Sequence, residues 1–409
     1  MLQQPVALIA NAQILDTRNF KISSGKTIEI IDGRVSKIRD SNSDDVTCEN
    51  AIDAAGKIIM PGLIDSHVHV TAATASLGDL ADWSPNYAAA RSSTLMKDML
   101  LRGFTTVRDV AGADWGIADA VEEGYFQGPR IYFGGKALSQ TGGHGDMRGP
   151  GRTFVDSHPC CPTIGVICDG VTEVRKASRE QLRTGAHHIK IMLSGGVASP
   201  TDRVDSIQFS DSEIQAIVEE AEAANRYVAG HAYTAKAVNR GLRAGVRSIE
   251  HGNLIDDESV ELFKEHGAFL VPTLVTYVHL KKDGEAAGLS AESRKKVDLV
   301  LNAGLDALGL ATRGGVKIAF GTDLLGDMQK HQSEEFTIRA QVQTNEQIIA
   351  SATTIGAELL GAEADLGAVQ VGGHADLLLL SGNPLEEIRV LAEPETYLSG
   401  VIKAGMQQK

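Results

Sequence analysis

The stretch GLIDSHVHV, Gly62 to Val70, follows Pro61 and sets Asp65, His67 and His69 on alternate positions of an otherwise apolar run. Residues two apart on a strand project to the same face, so the imidazoles of His67 and His69 stand side by side. Two adjacent imidazoles look like metal ligands. A surface strand with incidental histidines is the plainer reading, and the rest of the chain decides between them.

Downstream of Pro61, as far as about Gly361, short apolar strands alternate with helical stretches such as SDSEIQAIVEEAEAAN and DESVELFKEHG. Repeated βα units favour a parallel sheet. The strands read as GLIDSHVHV, FTTVRDV, RIYFGG, HIKIMLSG, YVAGHAY, RSIEHG, AFLVPTLV and VKIAFGTD. Eight such units are expected to close into an α/β (β/α)8 TIM barrel, with functional groups at the C-terminal ends of the strands. Strand after strand then ends in a ligand-type side chain: His67 and His69, Lys190, His231, His251 and Asp323. A random barrel rarely does this, so the metal reading of His67 and His69 gains over the plain one.

Outside that region the pattern is different. VALIANAQILD, TIEII and DGRVSKIRD read as short strands, with Asp32-Gly33 as a hairpin turn, and LGAVQVGGHADLLLLSGN and TYLSGVIKAG near the other end are strand-like again. A small β-sandwich domain built from both termini, residues 1–60 plus 362–409, is therefore expected beside a barrel domain at 61–361.

The 409 residues, 43% hydrophobic and 22% charged, suffice for a sizeable core, and 43 glycines suggest many tight turns. A net charge of −14 argues against a nucleic-acid surface. MLQQPVALIANAQILD lacks the basic start and cleavage site of a signal peptide, and no run reaches the length of a membrane span. A cytoplasmic chain with no membrane partner is expected; a trimmed secreted protein would read the same. Cys48, Cys160, Cys161 and Cys168 are too few for a disulfide framework and lack zinc-finger spacing, which leaves them as loop or packing residues.

Four imidazoles and a carboxylate suit borderline divalent ions such as Zn²⁺, with Mn²⁺, Co²⁺ or Fe²⁺ as alternatives. Lys190 is the odd member, because an ammonium cannot ligate a cation. In its order of ligands the chain resembles the amidohydrolase superfamily, whose pattern is His-x-His after the first barrel strand, a carboxylated lysine after the fourth, single histidines after the fifth and sixth, and an aspartate after the eighth. The resemblance spans essentially the whole chain. It implies two divalent cations bridged by a CO₂-derived carbamate on Lys190, with His67, His69, His231, His251 and Asp323 as the remaining ligands. It also implies metal-assisted hydrolysis: a bridging water with a lowered pKa attacks the carbonyl, and Asp323 acts as base and then acid. Deaminases on this scaffold lack the lysine and carry a glutamate soon after the fifth-strand histidine, which HAYTAKAV does not. His187 and His188 read as strand residues, and His158, His266, His279, His331 and His374 as helix or loop residues.

Longer stretches, QTGGHGDMR, KIMLSGGVASPTD, IEHGNLID and VPTLVTY, resemble the prolidase and N-acyl amino acid hydrolase subgroup, related to imidazolonepropionase. That resemblance implies release of a free amino acid from an Xaa-Pro-type dipeptide or an N-acyl amino acid. Tyr233, two residues beyond His231, and His144, in the Gly-rich loop after the third strand, are expected to bind the substrate carboxylate or carbonyl. Arg148, Arg152 and Arg203 lie in neighbouring loops and are weaker candidates for anion binding. No acidic residue is obvious for a basic leaving side chain, so a proline, hydrophobic or aromatic leaving residue is expected, with ochratoxin-type amides as secondary substrates. The alternatives are a cyclic amide or lactone hydrolase or a deaminase on the same scaffold, and an Xaa-Arg/Lys dipeptidase; a non-enzymatic scaffold would have lost a ligand. Assembly as a homo-oligomer is expected from the family.

Overall fold

The computed structural model describes residues 4–149, 151–153, 162–286 and 291–409, so His158, Cys160 and Cys161 lie outside the described residues. All eight anticipated strands form: β1 Leu63–Val68, β2 Phe104–Asp109, β3 Arg130–Phe133, β4 His188–Met192, β5 Tyr227–Thr234, β6 Ser248–Leu254, β7 Phe269–Val271 and β8 Lys317–Ile318. Their order in space is their order in sequence, and all pairings among them are parallel. β1 and β2 are buried along their whole length, as expected of parallel strands covered on both faces.

β1 to β3 make one sheet. β4 to β8 make a second, extended beyond β4 by two short strands, Ala137–Ser139 and Gly165–Ile167, which the sequence did not announce. Backbone hydrogen bonds link the two sheets at both ends, from His187 N to Phe133 O (2.8 Å) and from Ser66 N to Phe320 O (2.7 Å). The helices after β4, β5 and β6 are Asp211–Ala223, Ala235–Arg243 and Asp257–Glu265. The first begins at a reciprocal cap, in which Ser210 accepts from the Glu213 amide and Glu213 from the Ser210 amide. Its apolar face, Ile214, Ile217, Val218 and Ala221, packs into the same core as Ile189, Val228 and Ile249 of the sheet.

The terminal segments form a nine-stranded sheet. Lys21–Ile31 and Arg34–Asp40 pair as a hairpin whose Asp32 and Gly33 both have positive φ, +50° and +73°, as a tight two-residue turn requires. Hydrogen bonds from Ala375 N to Gly33 O and from Val35 N to Gly373 O return the sheet's far edge to the segment before Leu377–Leu380. One curled sheet thus wraps a core of Ile9, Ile28, Ile59, Leu377 and Ile402. Its strand Ile58–Pro61 runs straight into β1 through Gly62, where a Cβ would meet Thr105 Oγ1 at 1.9 Å.

Among the described residues no helix is long and apolar enough to cross a membrane. Cys168 is buried and its thiol is pushed up to about 12 by burial, so it packs without reacting; Cys48 is an exposed free cysteine.

Candidate metal centre

His67 lies on β1 and His69 just past its end, both buried, with ring centroids 5.4 Å apart. Each ring is fixed through Nδ1, His67 by Glu250 Oε2 at 2.7 Å and His69 by the Ala111 carbonyl at 2.7 Å. Both Nε2 atoms therefore face Asp323 Oδ1, at 3.4 and 3.1 Å. These three side chains hold their ligand atoms within 4.8 Å of one another. His251 Nδ1 is 4.0 Å from Asp323 Oδ2, and the His251 ring lies 5.0 Å from His67 and 4.6 Å from His231. Lys190, on β4, is 2% exposed, and its Nζ is buried without a hydrogen-bond partner.

Burial sets the charge states. It drives His231 and His251 well below the usual imidazole range and brings Lys190 down to about 8. Burial alone would raise the Asp323 carboxyl, but His67, His69 and His251 around it hold it well below the usual carboxylate range. Neutral His231 and His251 beside an ionised Asp323 are in the states a divalent cation needs in its ligands, whereas at His69 burial is outweighed by the adjoining Asp323, which raises that imidazole. His251, Thr273 and Asp323 also take positive φ, +75°, +39° and +52°, a concentration of left-handed backbone typical of functional sites.

Two residues behind the cluster escaped the sequence reading. Arg108 of β2 donates to both Glu250 oxygens (2.8 and 2.9 Å) and to the Ser66 carbonyl, and Glu250 in turn orients His67. The signal was available: opposite charges inside two strands expected to be fully buried have to pair.

His144 stacks on His231 at 4.2 Å. Its Nδ1 lies 2.8 Å from Ser199 Oγ, and Ser199 donates to the buried Asp202, which also accepts from Gly196 N and Gln208 Nε2. Gly196 has to be glycine here, since a Cβ would sit 2.1 Å from the His144 ring. Lys296 clamps the same loop by donating to the Asp202 carbonyl at 2.6 Å. Tyr233 is buried 4.9 Å from His231, and its oxygen accepts from the Tyr277 hydroxyl at 3.1 Å. Tyr277 was not singled out in sequence because it lies on the helix Leu274–Asp283 rather than at a strand end.

Each of the three loop arginines has an acidic partner. Arg148 is tied to Asp146 at 2.6 Å, Arg203, 81% exposed, to Asp205 at 2.9 Å, and Arg152 to Asp82 at 3.0 Å. Acids two residues away engage the first two, and none is brought to the histidine cluster.

Residues 58–406 match the amidohydrolase family. The Aspergillus niger ochratoxinase is 35% identical over 357 residues, covering 83% of this chain and 73% of that protein. A prolidase solved in complex with N-methylphosphonate-L-proline is 47% identical, with a TM-score of 0.94 over 98% of both chains. A Xaa-Pro dipeptidase with methionine in its active site is 30% identical, with a TM-score of 0.86 over 98% of both. With a mixed α/β architecture shared along its whole length and a cluster of histidines and aspartate at its strand ends, the chain belongs to the amidohydrolase family.

Proposed function

We propose that the protein is a binuclear metal-dependent amide hydrolase that releases the C-terminal amino acid of Xaa-Pro-type dipeptides or N-acyl amino acids. The observation that carries this reading is the buried, partnerless amine of Lys190 beside neutral histidines and Asp323. An unpaired buried amine is costly unless the site changes its chemistry. A carbamate on Nζ would turn it into an anion with two oxygens, and His67, His69, His231, His251 and Asp323 would complete a shell for two divalent ions, of which Zn²⁺ suits the donors best. Bound there, the cations would acidify a water and polarise the amide carbonyl.

The chain's own groups do the rest. Asp323 takes the proton of the attacking water on a carboxylate oxygen and passes it to the leaving nitrogen. Tyr233, whose hydroxyl burial pushes well above the usual phenol range, stays protonated; with its oxygen occupied by Tyr277, it points its hydrogen at the substrate carboxylate. His144, held by Ser199 and Asp202, meets that anion or the scissile carbonyl. Arg148 and Arg203 act at most as loop ties. Proline, hydrophobic or aromatic leaving residues are favoured, in keeping with the prolidase and ochratoxinase relatives.

In the same reading β1 to β8 close into one barrel at 61–361, supported by the backbone bonds between the two sheets, and residues 1–60 with 362–409 form the second domain. The enzyme assembles as a homo-oligomer, which light scattering reads directly. The deciding experiment is a steady-state screen of the Zn²⁺-loaded enzyme against N-acyl amino acids and dipeptides varied at the C-terminal residue. Release of one class of amino acid fixes reaction and pocket; no release from any member turns the reading towards ring opening.

A further inference from the structure

His279, His331 and Glu334 come from three elements, the helix Leu274–Asp283 and, beyond β8, the 3-10 turn Gly326–His331 and the helix Glu334–Arg339. In sequence they look like unrelated helix and loop residues. The fold draws their ligand atoms within 4.8 Å of one another. Glu334 spans both rings, with Oε2 at 2.9 Å from His279 Nε2 and Oε1 at 2.6 Å from His331 Nδ1. Asp283, one helical turn beyond His279, holds the opposite nitrogen of that ring at 3.4 Å.

This repeats the layout of the first centre. There, two imidazoles share the carboxylate of Asp323 while Glu250 steadies the far nitrogen of His67. Here, two imidazoles share Glu334 while Asp283 steadies the far nitrogen of His279, which is the usual way a protein fixes the tautomer of a ligating histidine. His279 is 2% exposed, so one ligand is rigidly placed, whereas His331 is more open. The two rings stack at 3.6 Å with 11° between their planes. Asp283 and His331 also line a cavity of about 340 Å³ together with Trp83, Arg91 and Lys330, which leaves room for a water or small anion as a further ligand.

We propose that His279, His331 and Glu334 form an additional divalent-cation site, of a His₂-carboxylate type suited to Zn²⁺ and distinct from the centre at Asp323. Binding turns the more exposed ring, His331, so that its lone pair converges with those of His279 and Glu334.

The test is metal stoichiometry. Apo protein equilibrated with Zn²⁺ and freed of excess by dialysis is compared with the His331→Gln/Glu334→Gln variant by elemental analysis, with circular dichroism as a check on folding. The expected result is about one ion per chain fewer in the variant; Glu334→Gln alone, an isosteric change, reads the same loss if the double variant folds poorly. Repeating the comparison in a His67→Ala/His69→Ala background separates the two centres: the one-ion difference persists there. Equal stoichiometry of wild type and variant, or a difference that vanishes once the first centre is removed, overturns the proposal.

Discussion

Lys190 among the parallel strands and Lys403 in the terminal sheet are both buried, burial brings both down to about 8, and each has one arginine and two carboxylates for neighbours, but Lys190 also stands beside the histidine cluster. Around Lys190 stand Glu250, Asp323 and Arg108 together with the imidazoles of His231 and His251, and its Nζ has no hydrogen-bond partner. Around Lys403 stand Arg130, Asp376 and Glu122, an ionic patch between the terminal sheet and β3 in which Arg130 lies 3.6 Å from Asp376. An anion made at Lys190 would meet cation ligands. One made at Lys403 would stand in the ionic patch of Arg130, Asp376 and Glu122. A depressed amine alone is therefore no mark of a catalytic centre, and the neighbouring donors decide what it does.

The sharpest way to break this comparison is to remove each amine. Lys190→Ala should lose at least one metal ion per chain and lower turnover by more than the ~10²–10⁴ typical of a lost acid–base group, whereas Lys403→Met should change neither. Unaltered metal content in Lys190→Ala would remove the carbamate from the site. Asp323→Asn should cost turnover ~10²–10⁴-fold, and a near-normal rate would assign the proton transfer to another group. Glu250→Gln, which loosens His67 without touching a ligand, should weaken metal affinity about 10–100-fold; titration with a chelator reads this.

Lys403 makes its own prediction, in stability. Its folded value of about 8 lies below the ordinary ~10.4, so between those values the unfolded chain binds more protons and stability rises with pH; below about 8 the destabilisation is complete. Denaturant unfolding of wild type and Lys403→Met at about pH 7 and about pH 10 should show their difference changing by roughly 2.5 kcal/mol, the wild type gaining at the higher pH. A pH-independent difference would mean that Lys403 is charged in the fold. The smallest effect belongs to Tyr233→Phe, which should raise KM about tenfold for carboxylate substrates and less for their amides. Equal changes would reject the contact.

Much of this centre was legible in the sequence because strand ends carry it. His67, Lys190, His231 and His251 lie on parallel strands, with His69 and Asp323 on the segments that follow two of them, and adjacent parallel strands bring such residues together whatever the loops do. The loops were less legible. Arg148 and Arg203 looked available for an anion, yet Asp146 and Asp205 lie two residues away and the loop conformations pair them locally. Glu250 and Arg108 belong to different strands, so their pairing appears only once β2 and β6 face each other across the interior. The strands Ala137–Ser139 and Gly165–Ile167 are three residues each, too short for periodicity to show. His279, His331 and Glu334 depend on the meeting of three elements, for which linear spacing gives no sign.

The curled terminal sheet has a consequence for the order in which the molecule can be made. Ile58–Pro61 pairs with Leu377–Leu380, and Gly62 N donates to Asp376 O at 2.8 Å, one residue before the strand that carries His67 begins. The first ligand strand is thus anchored by chain that a ribosome adds more than three hundred residues later. Until that late strand emerges, β1 has lost its moorings at one end, and contacts so distant along the chain form slowly. Assembly of the histidine cluster in this sense waits for residues 376–380, long after the segment that supplies its first two imidazoles has been made.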